Sequence, residues 1–176
     1  INSECGNSYT NKNIDEFIPK IRARRCDWMG RYEDPRLSSL MMEADEIWMV
    51  SSWLDWVVDL MPETLAALSD QFDAEIKVFG SKNFGEISVG TLLKMNPDER
   101  YLFRQSASSE VLVTNQRLKA IIPKNVFVDL SDVSCGGDAA ECVIFTKEGL
   151  LISADGGHLT KAGAEHLSES FVKLLK

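Results

Sequence analysis

The sequence predicts an α/β fold of three layers, a parallel sheet with helices covering both faces. Three observations carry that expectation. Short apolar runs at Glu46–Trp53 (EIWMVSSW), Glu75–Phe79 (EIKVF) and Val126–Leu130 (VFVDL) read as strands, the first of them as a strand buried on both faces. The segments between them place apolar residues at helical spacing, and strands that alternate with helices belong to parallel sheets. A chain of 176 residues, 44% of them hydrophobic, holds enough apolar material for one core, so residues 1–176 are read as a single domain.

In chain order, residues 2–32 are polar apart from Ile14, Phe17, Ile18 and Ile21, which predict a short amphipathic helix. Pro35 permits a second helix, from Arg36 to Ala44. The first strand leads into a loop rich in Trp and Asp. Pro62 suits the first turn of a helix that Leu65, Leu68 and Phe72 continue, and the second strand stops at Gly80-Ser81. Gly85, Gly90 and Pro97 break any long pattern between Phe84 and Arg104, which leaves a loop with one helical turn. Ser109 to Ile122 is helical through Val111, Leu112, Leu118 and Ile121, with Pro123 as its stop. Beyond the third strand, Cys142–Thr146 and Leu150–Ser153 flank Lys147-Glu148-Gly149 as a small hairpin. Thr160 is the N-cap of a last helix whose Ala164, Leu167, Phe171, Leu174 and Leu175 form one apolar face. Parallel sheets bind ligands beyond the carboxyl ends of their strands, so the loops SSWLDW, GSKNFG and DLSDVSCGG are expected to gather there. SADGGHLT, residues 153–160, must enter the same edge if it is functional.

Composition excludes several classes. Lys and Arg total 19 against 27 Asp and Glu, a net charge of −8 with no basic stripe, which argues against nucleic acid as a partner. The most apolar stretch, Ile47 to Met61, is interrupted by Ser51, Ser52, Asp55 and Asp59, whereas a membrane span needs about 20 mostly apolar residues. The chain opens on Ile1 without a signal-peptide pattern, so its start is expected to be a cut, with something upstream absent.

Four cysteines fall as two local pairs, Cys5 with Cys26 and Cys135 with Cys142. Neither is a CxxC, and His158 and His166 are not spaced with them as zinc ligands, so no metal is assigned. An even count in short loops fits disulfides and an oxidising compartment. Three connectivities remain open, as do free buried thiols.

The candidate chemistry lies in SADGGHLT. An Asp three residues before a His, in a turn just ahead of a helix, lets the Asp155 carboxylate reach the Nδ1–H of His158 and leaves Nε2 free to face a hydroxyl. That is the orienting half of a Ser-His-Asp triad: the carboxylate fixes the tautomer and stabilises imidazolium while the imidazole moves the proton. The competing reading is a tight turn through Asp155-Gly156-Gly157 with a solvated His158 at a helix start. His166 reads as a structural or surface residue within the last helix. Asp155, His158 and His166 are too far spread for one ion without a further loop. Ser81, in VFGSKNFG, follows a strand and a Gly as an elbow nucleophile does, but an elbow feeds directly into a helix and Lys82-Asn83-Phe84-Gly85 reads as a loop.

ISADGGHLTKAGAEHL resembles the last block of SGNH (GDSL-type) esterases and acyltransferases, in which D-x-x-H precedes the C-terminal helix. EIWMVSSW resembles a strand of the SGNH domains fused to acyltransferase-3 membrane proteins, and in that branch cysteine pairs resemble Cys5 with Cys26 and Cys135 with Cys142. The resemblance runs from about Cys5 to Leu174 and carries a moderately specific signature, D-x-x-H-L-[ST]-x-x-G-A. It implies an SGNH or flavodoxin-like sandwich with Asp155 and His158 as acid and base of the triad. The family's Gly-Asp-Ser nucleophile block does not occur in the chain, and the segment resembling INSECGN follows that block in relatives. The expectation is therefore a domain lacking its first strand, first helix and catalytic serine. The G-x-N-D block is absent too, and Ser52 and Trp53 occupy its place as candidate substrate or oxyanion contacts, with ordinary packing as the other reading of Trp53.

The implied function is O-acyl (acetyl) transfer to, or ester hydrolysis on, a cell-envelope polysaccharide. The implied partners are a cell-surface carbohydrate and an acyl donor delivered by a fused or partner membrane acyltransferase domain. The expected location is extracytoplasmic, and no cofactor is implied. The alternative from another class is a non-catalytic carbohydrate-binding or accessory domain, with Trp53 and Trp56 as a stacking platform.

Overall fold

Asp34 and Pro35 begin the first described helix: the Asp34 carboxylate accepts the Arg36 backbone N–H at 2.9 Å, and Pro35 needs no donor of its own. The computed structural model describes residues 34–136 and 141–175, with Cys5, Ser8, Tyr9, residues 15–20, Cys26 and Tyr32 before them. Of the predicted N-terminal helix, a 3-10 turn at Asp15–Phe17 is seen, while Ile14 and Ile21 lie outside the described residues. The chain divides into two compact units, Ile1–Gly80 with Gln116–Phe127, and Ser81–Asn115 with Val128–Lys176.

The first unit carries α1 (Pro35–Met42), β1 (Glu46–Val50), α2 (Asp55–Asp59), α3 (Met61–Gln71) and β2 (Glu75–Phe79). β1 and β2 run parallel in register from Glu46 opposite Glu75 to Val50 opposite Phe79. With β4 (Phe127–Val128) they make a three-stranded parallel sheet in the order β1-β2-β4. The α/β class with a parallel sheet is therefore observed. Met49, Val57, Val58, Met61, Leu68, Val78 and Leu118 are all but fully buried, and each such side chain contributes about 1.5–3 kcal/mol.

One expectation needs correcting here. β1 is not buried on both faces: Ile47 and Met49 point inward, while Trp48 and Val50 remain 46% and 59% exposed. Trp48 instead leans on the Phe79 ring at 5.1 Å and donates its indole N–H to Glu46. The loop expected after β1 contains α2, whose Asp55 and Asp59 both pair with Arg117 on the exposed side.

The second unit carries α4 (Val89–Leu92), α5 (Pro97–Arg100) and β3 (Arg104–Ser106). α6 (Ser109–Ile121) follows, its first part in this unit, then α7 (Leu130–Cys135), β5 (Glu141–Val143) and α8 (Lys161–Leu174). Three expectations are corrected. The third strand is shorter than Val126–Leu130, because Asp129 accepts the Ser131 N–H as an N-cap and Leu130 already opens α7. The single turn expected between Phe84 and Arg104 is two short helices, α5 being capped by Asn96 and led by Pro97. The hairpin is present from Ile144 to Ile152, where Thr146 donates its N–H to the Leu150 carbonyl at 2.8 Å and Ile152 to the Ile144 carbonyl at 2.9 Å with Phe145 opposite Leu151, but its first strand is shorter than Cys142–Thr146, because Glu141–Val143 pairs antiparallel with β3.

Phe84, Ile144, Phe145 and Ile152 centre this unit's core. Thr160 caps α8 as expected, its hydroxyl accepting the Gly163 N–H at 3.0 Å and donating to the Leu151 carbonyl at 2.6 Å. Gly163 is buried where a Cβ would overlap the Ile152 carbonyl, which lets α8 lie directly on that segment. Both local cysteine pairs are disulfides, Cys5–Cys26 and Cys135–Cys142, and no cysteine is left free. Among the described residues no helix is long and apolar enough to cross a membrane.

Candidate active site

SADGGHLT is built outward from a buried hydroxyl. Ser153, 1% exposed, donates to the His158 carbonyl at 2.7 Å and accepts the Gly156 N–H at 2.9 Å, which closes the segment into a tight loop. Gly156 sits at φ +83°, where L side chains are strained, and a Cβ there would overlap the Gly85 carbonyl. Its own carbonyl accepts the Phe84 N–H at 2.8 Å. The loop is thereby fixed to the segment that follows β2.

On this base Asp155 serves the residues after it. Its Oδ1 accepts the backbone N–H of Gly157 at 2.9 Å and of His158 at 2.8 Å, while Oδ2 lies 2.7 Å from His158 Nδ1. Those bonds hold its carboxyl well below the usual carboxylate range, the His158 backbone N–H contributing most, then the imidazole, then the Gly157 N–H. An ionised acceptor at Nδ1 requires the proton to stand on that nitrogen, so Nε2 is the basic atom. The imidazole is 91% exposed and the carboxylate 56%, so the pair stands open to solvent.

Lys82, which the sequence presented within the GSKNFG loop without a role of its own, joins this turn. Its ammonium donates to the Gly157 carbonyl at 2.6 Å. Burial pushes its pKa down, and attraction to Asp155 opposes that. Its loop, GSKNFG, was expected at this edge because it follows a parallel strand, but no local pattern singled out Lys82 within it. The neighbouring Ser81 is held through its backbone by buried Asn115, which donates to its carbonyl at 2.7 Å and accepts its N–H at 2.9 Å. No helix begins until Val89, so Ser81 does not stand on a nucleophile elbow.

Of the expected loops, Ser81–Gly85 of GSKNFG bonds SADGGHLT through Lys82 and Phe84 within the second unit, and Leu130 and Val133 of DLSDVSCGG line one cleft with its Leu159. The Asn83 carbonyl lies 3.3 Å from the Cys142 sulfur, and the Asn83 side chain accepts the Gly85 and Ser108 N–H groups. SSWLDW belongs to the first unit. There Ser52 is exposed, while Trp53 is buried with its indole N–H donated to the Phe79 carbonyl at 2.7 Å. The Trp56 ring stacks on Phe17 at 5.2 Å and 10°. Set beside known proteins, the chain matches no family model, no curated protein and no solved structure.

Proposed function

We propose that this is an acyl-transfer domain in which His158 acts as general base and acid and Asp155 orients it. The observation that carries the reading is the Asp155–His158 pair: a carboxylate that accepts two backbone N–H groups and bonds Nδ1 of an imidazole 91% exposed. More narrowly, its place around the tight Gly156-Gly157 turn, just ahead of the capped final helix, supports membership of the SGNH hydrolases and acyltransferases. The three-layer sandwich expected of that family belongs to the same proposal.

In this mechanism a serine from a Gly-Asp-Ser block, which these 176 residues do not contain, attacks the acyl carbonyl as Nε2 takes its hydroxyl proton. Imidazolium then returns the proton to the departing alkoxide. A sugar hydroxyl or water, deprotonated in turn by Nε2, releases the acyl group and restores the serine. Asp155 stays ionised throughout and stabilises the imidazolium. The two disulfides and the acidic charge balance support an extracytoplasmic setting and a neutral sugar acceptor, with the acyl donor arriving from a membrane acyltransferase domain. The stacking platform of the accessory-domain reading loses support, since Trp53 and Trp56 are both engaged in packing.

The encoded sequence upstream of Ile1 is the first check, where Gly-Asp-Ser ahead of a helix pattern is expected. In a form carrying that block, p-nitrophenyl acetate should be hydrolysed, and Asp155→Asn should lower turnover by on the order of 10⁴-fold, with His158→Ala losing at least as much. Unchanged turnover in His158→Ala rejects the assignment.

A further inference from the structure

Beside the Asp155–His158 turn the second unit holds a cleft of about 290 Å³ between α7 and α8. Leu130 and Val133 of α7 line one side, Leu167 and Phe171 of α8 the other, and Leu159, next in chain to His158, joins them. Leu167 is buried, while Leu130, Val133, Leu159 and Phe171 are half-buried, so the cleft opens to solvent along its length. The one charged side chain in the lining is Lys82, whose ammonium bonds the Gly157 carbonyl with one of its three N–H groups.

We infer that this cleft binds the aliphatic chain of an acyl ligand, with Lys82 receiving an anionic or carbonyl oxygen at its head. Three observations carry the inference. A lining of hydrocarbon with almost no polar atoms selects an unsubstituted chain and leaves a sugar's hydroxyl groups unpaired. The volume fits, since a dry cavity of about 150 Å³ accepts one benzene, which scales here to on the order of ten carbons. Charge places the head group beside the turn, because Lys82 lines the cleft with its stem while its half-buried ammonium lies at the Gly157 carbonyl, where an oxygen anion would offset its desolvation. The binding claim stands without the catalytic reading. Its extension, that the acyl group handled by His158 is longer than acetyl, rests on that reading.

The test is calorimetric titration of the chain with hexanoate, octanoate and decanoate. Saturable binding of one equivalent is expected, tightening about fourfold for each added methylene until the cleft is full. Ala164 lines the cleft from an exposed position on α8, so Ala164→Trp fills the cleft without disturbing the core and should weaken decanoate about tenfold or more. Lys82→Met keeps the stem and removes the charge; it should weaken decanoate about tenfold while leaving decanol unchanged. Absence of saturable binding overturns the proposal, as does binding that Ala164→Trp leaves intact. So does a chain that self-associates until Ala164→Trp is introduced, because a second copy is then the occupant. None of these readouts involves ester turnover, so loss of the cleft leaves the His158 assignment standing, and loss of that assignment leaves the cleft.

Discussion

Two segments of this chain each present a nitrogen heterocycle just outside regular structure, and they use it in opposite ways. In SSWLDW the Trp53 indole turns inward, and its N–H is consumed by the carbonyl of Phe79 at the end of β2. In SADGGHLT the inward polar work is done by Ser153, Gly156 and Asp155, and the His158 ring remains 91% exposed with one nitrogen uncommitted to Asp155. The difference separates a heterocycle spent on packing from one left open to solvent. Chemistry is available where the backbone's hydrogen bonds are met by other groups and the ring is held by its rim.

Stability measurements should split the two rings. Trp53→Ala removes a ring only 7% exposed and is expected to lower unfolding free energy by about 3–5 kcal/mol in urea denaturation. Trp53→Phe keeps most of the volume but removes the indole hydrogen bond to the Phe79 carbonyl, for a loss of about 0.5–1.5 kcal/mol. His158→Ala, by contrast, should stay within about 0.5 kcal/mol of wild type, as exposed substitutions do. A large loss at His158 would mean the ring is a packing element, and the contrast between the segments would collapse.

The next effect in size belongs to the loop that supports His158. Gly156→Ala must hold a φ of +83° and displace the Gly85 carbonyl, at a loss of about 1–3 kcal/mol. Under the proposed mechanism its ester turnover should fall further than its stability explains, because the Asp155–His158 geometry is set by this turn. Turnover that simply tracks the folded fraction would show that the turn does not position the pair.

Local chemistry was legible in the sequence and tertiary choice was not. β2, α6 and α8 stood where their patterns put them, because each has a run of the right period with its own stop or cap, such as Pro123 or Thr160. The Asp155–His158 contact was legible because three residues and two glycines suffice to make it. The pairing of β5 with β3 was not legible, because Arg104–Ser106 (RQS) has no apolar alternation to announce a strand. α7 was hidden for a related reason: a six-residue helix has too few turns to display a period, and only the Asp129 cap marked it. Lys82 reaches Gly157 across 75 positions of sequence, a distance no local pattern encodes.

The smallest effect is confined to a window of acid pH and tests whether Asp155 works as a charge. Its pKa lies below the ordinary 3.8 because the folded loop bonds the carboxylate, so between those two values the unfolded chain binds more protons than the folded one. The stabilisation from the ionised group is therefore fully present above the ordinary value and is lost as pH falls through the depressed one. Asp155→Asn keeps the shape of the side chain without its charge, so its urea midpoint should lie below wild type at pH 7. That gap should narrow steadily once pH drops below 3.8, as the wild-type carboxylate begins to protonate in the unfolded chain. A gap of constant width from neutral to acid pH would assign the loss to the shape of the loop, and Asp155 would then orient His158 by geometry alone.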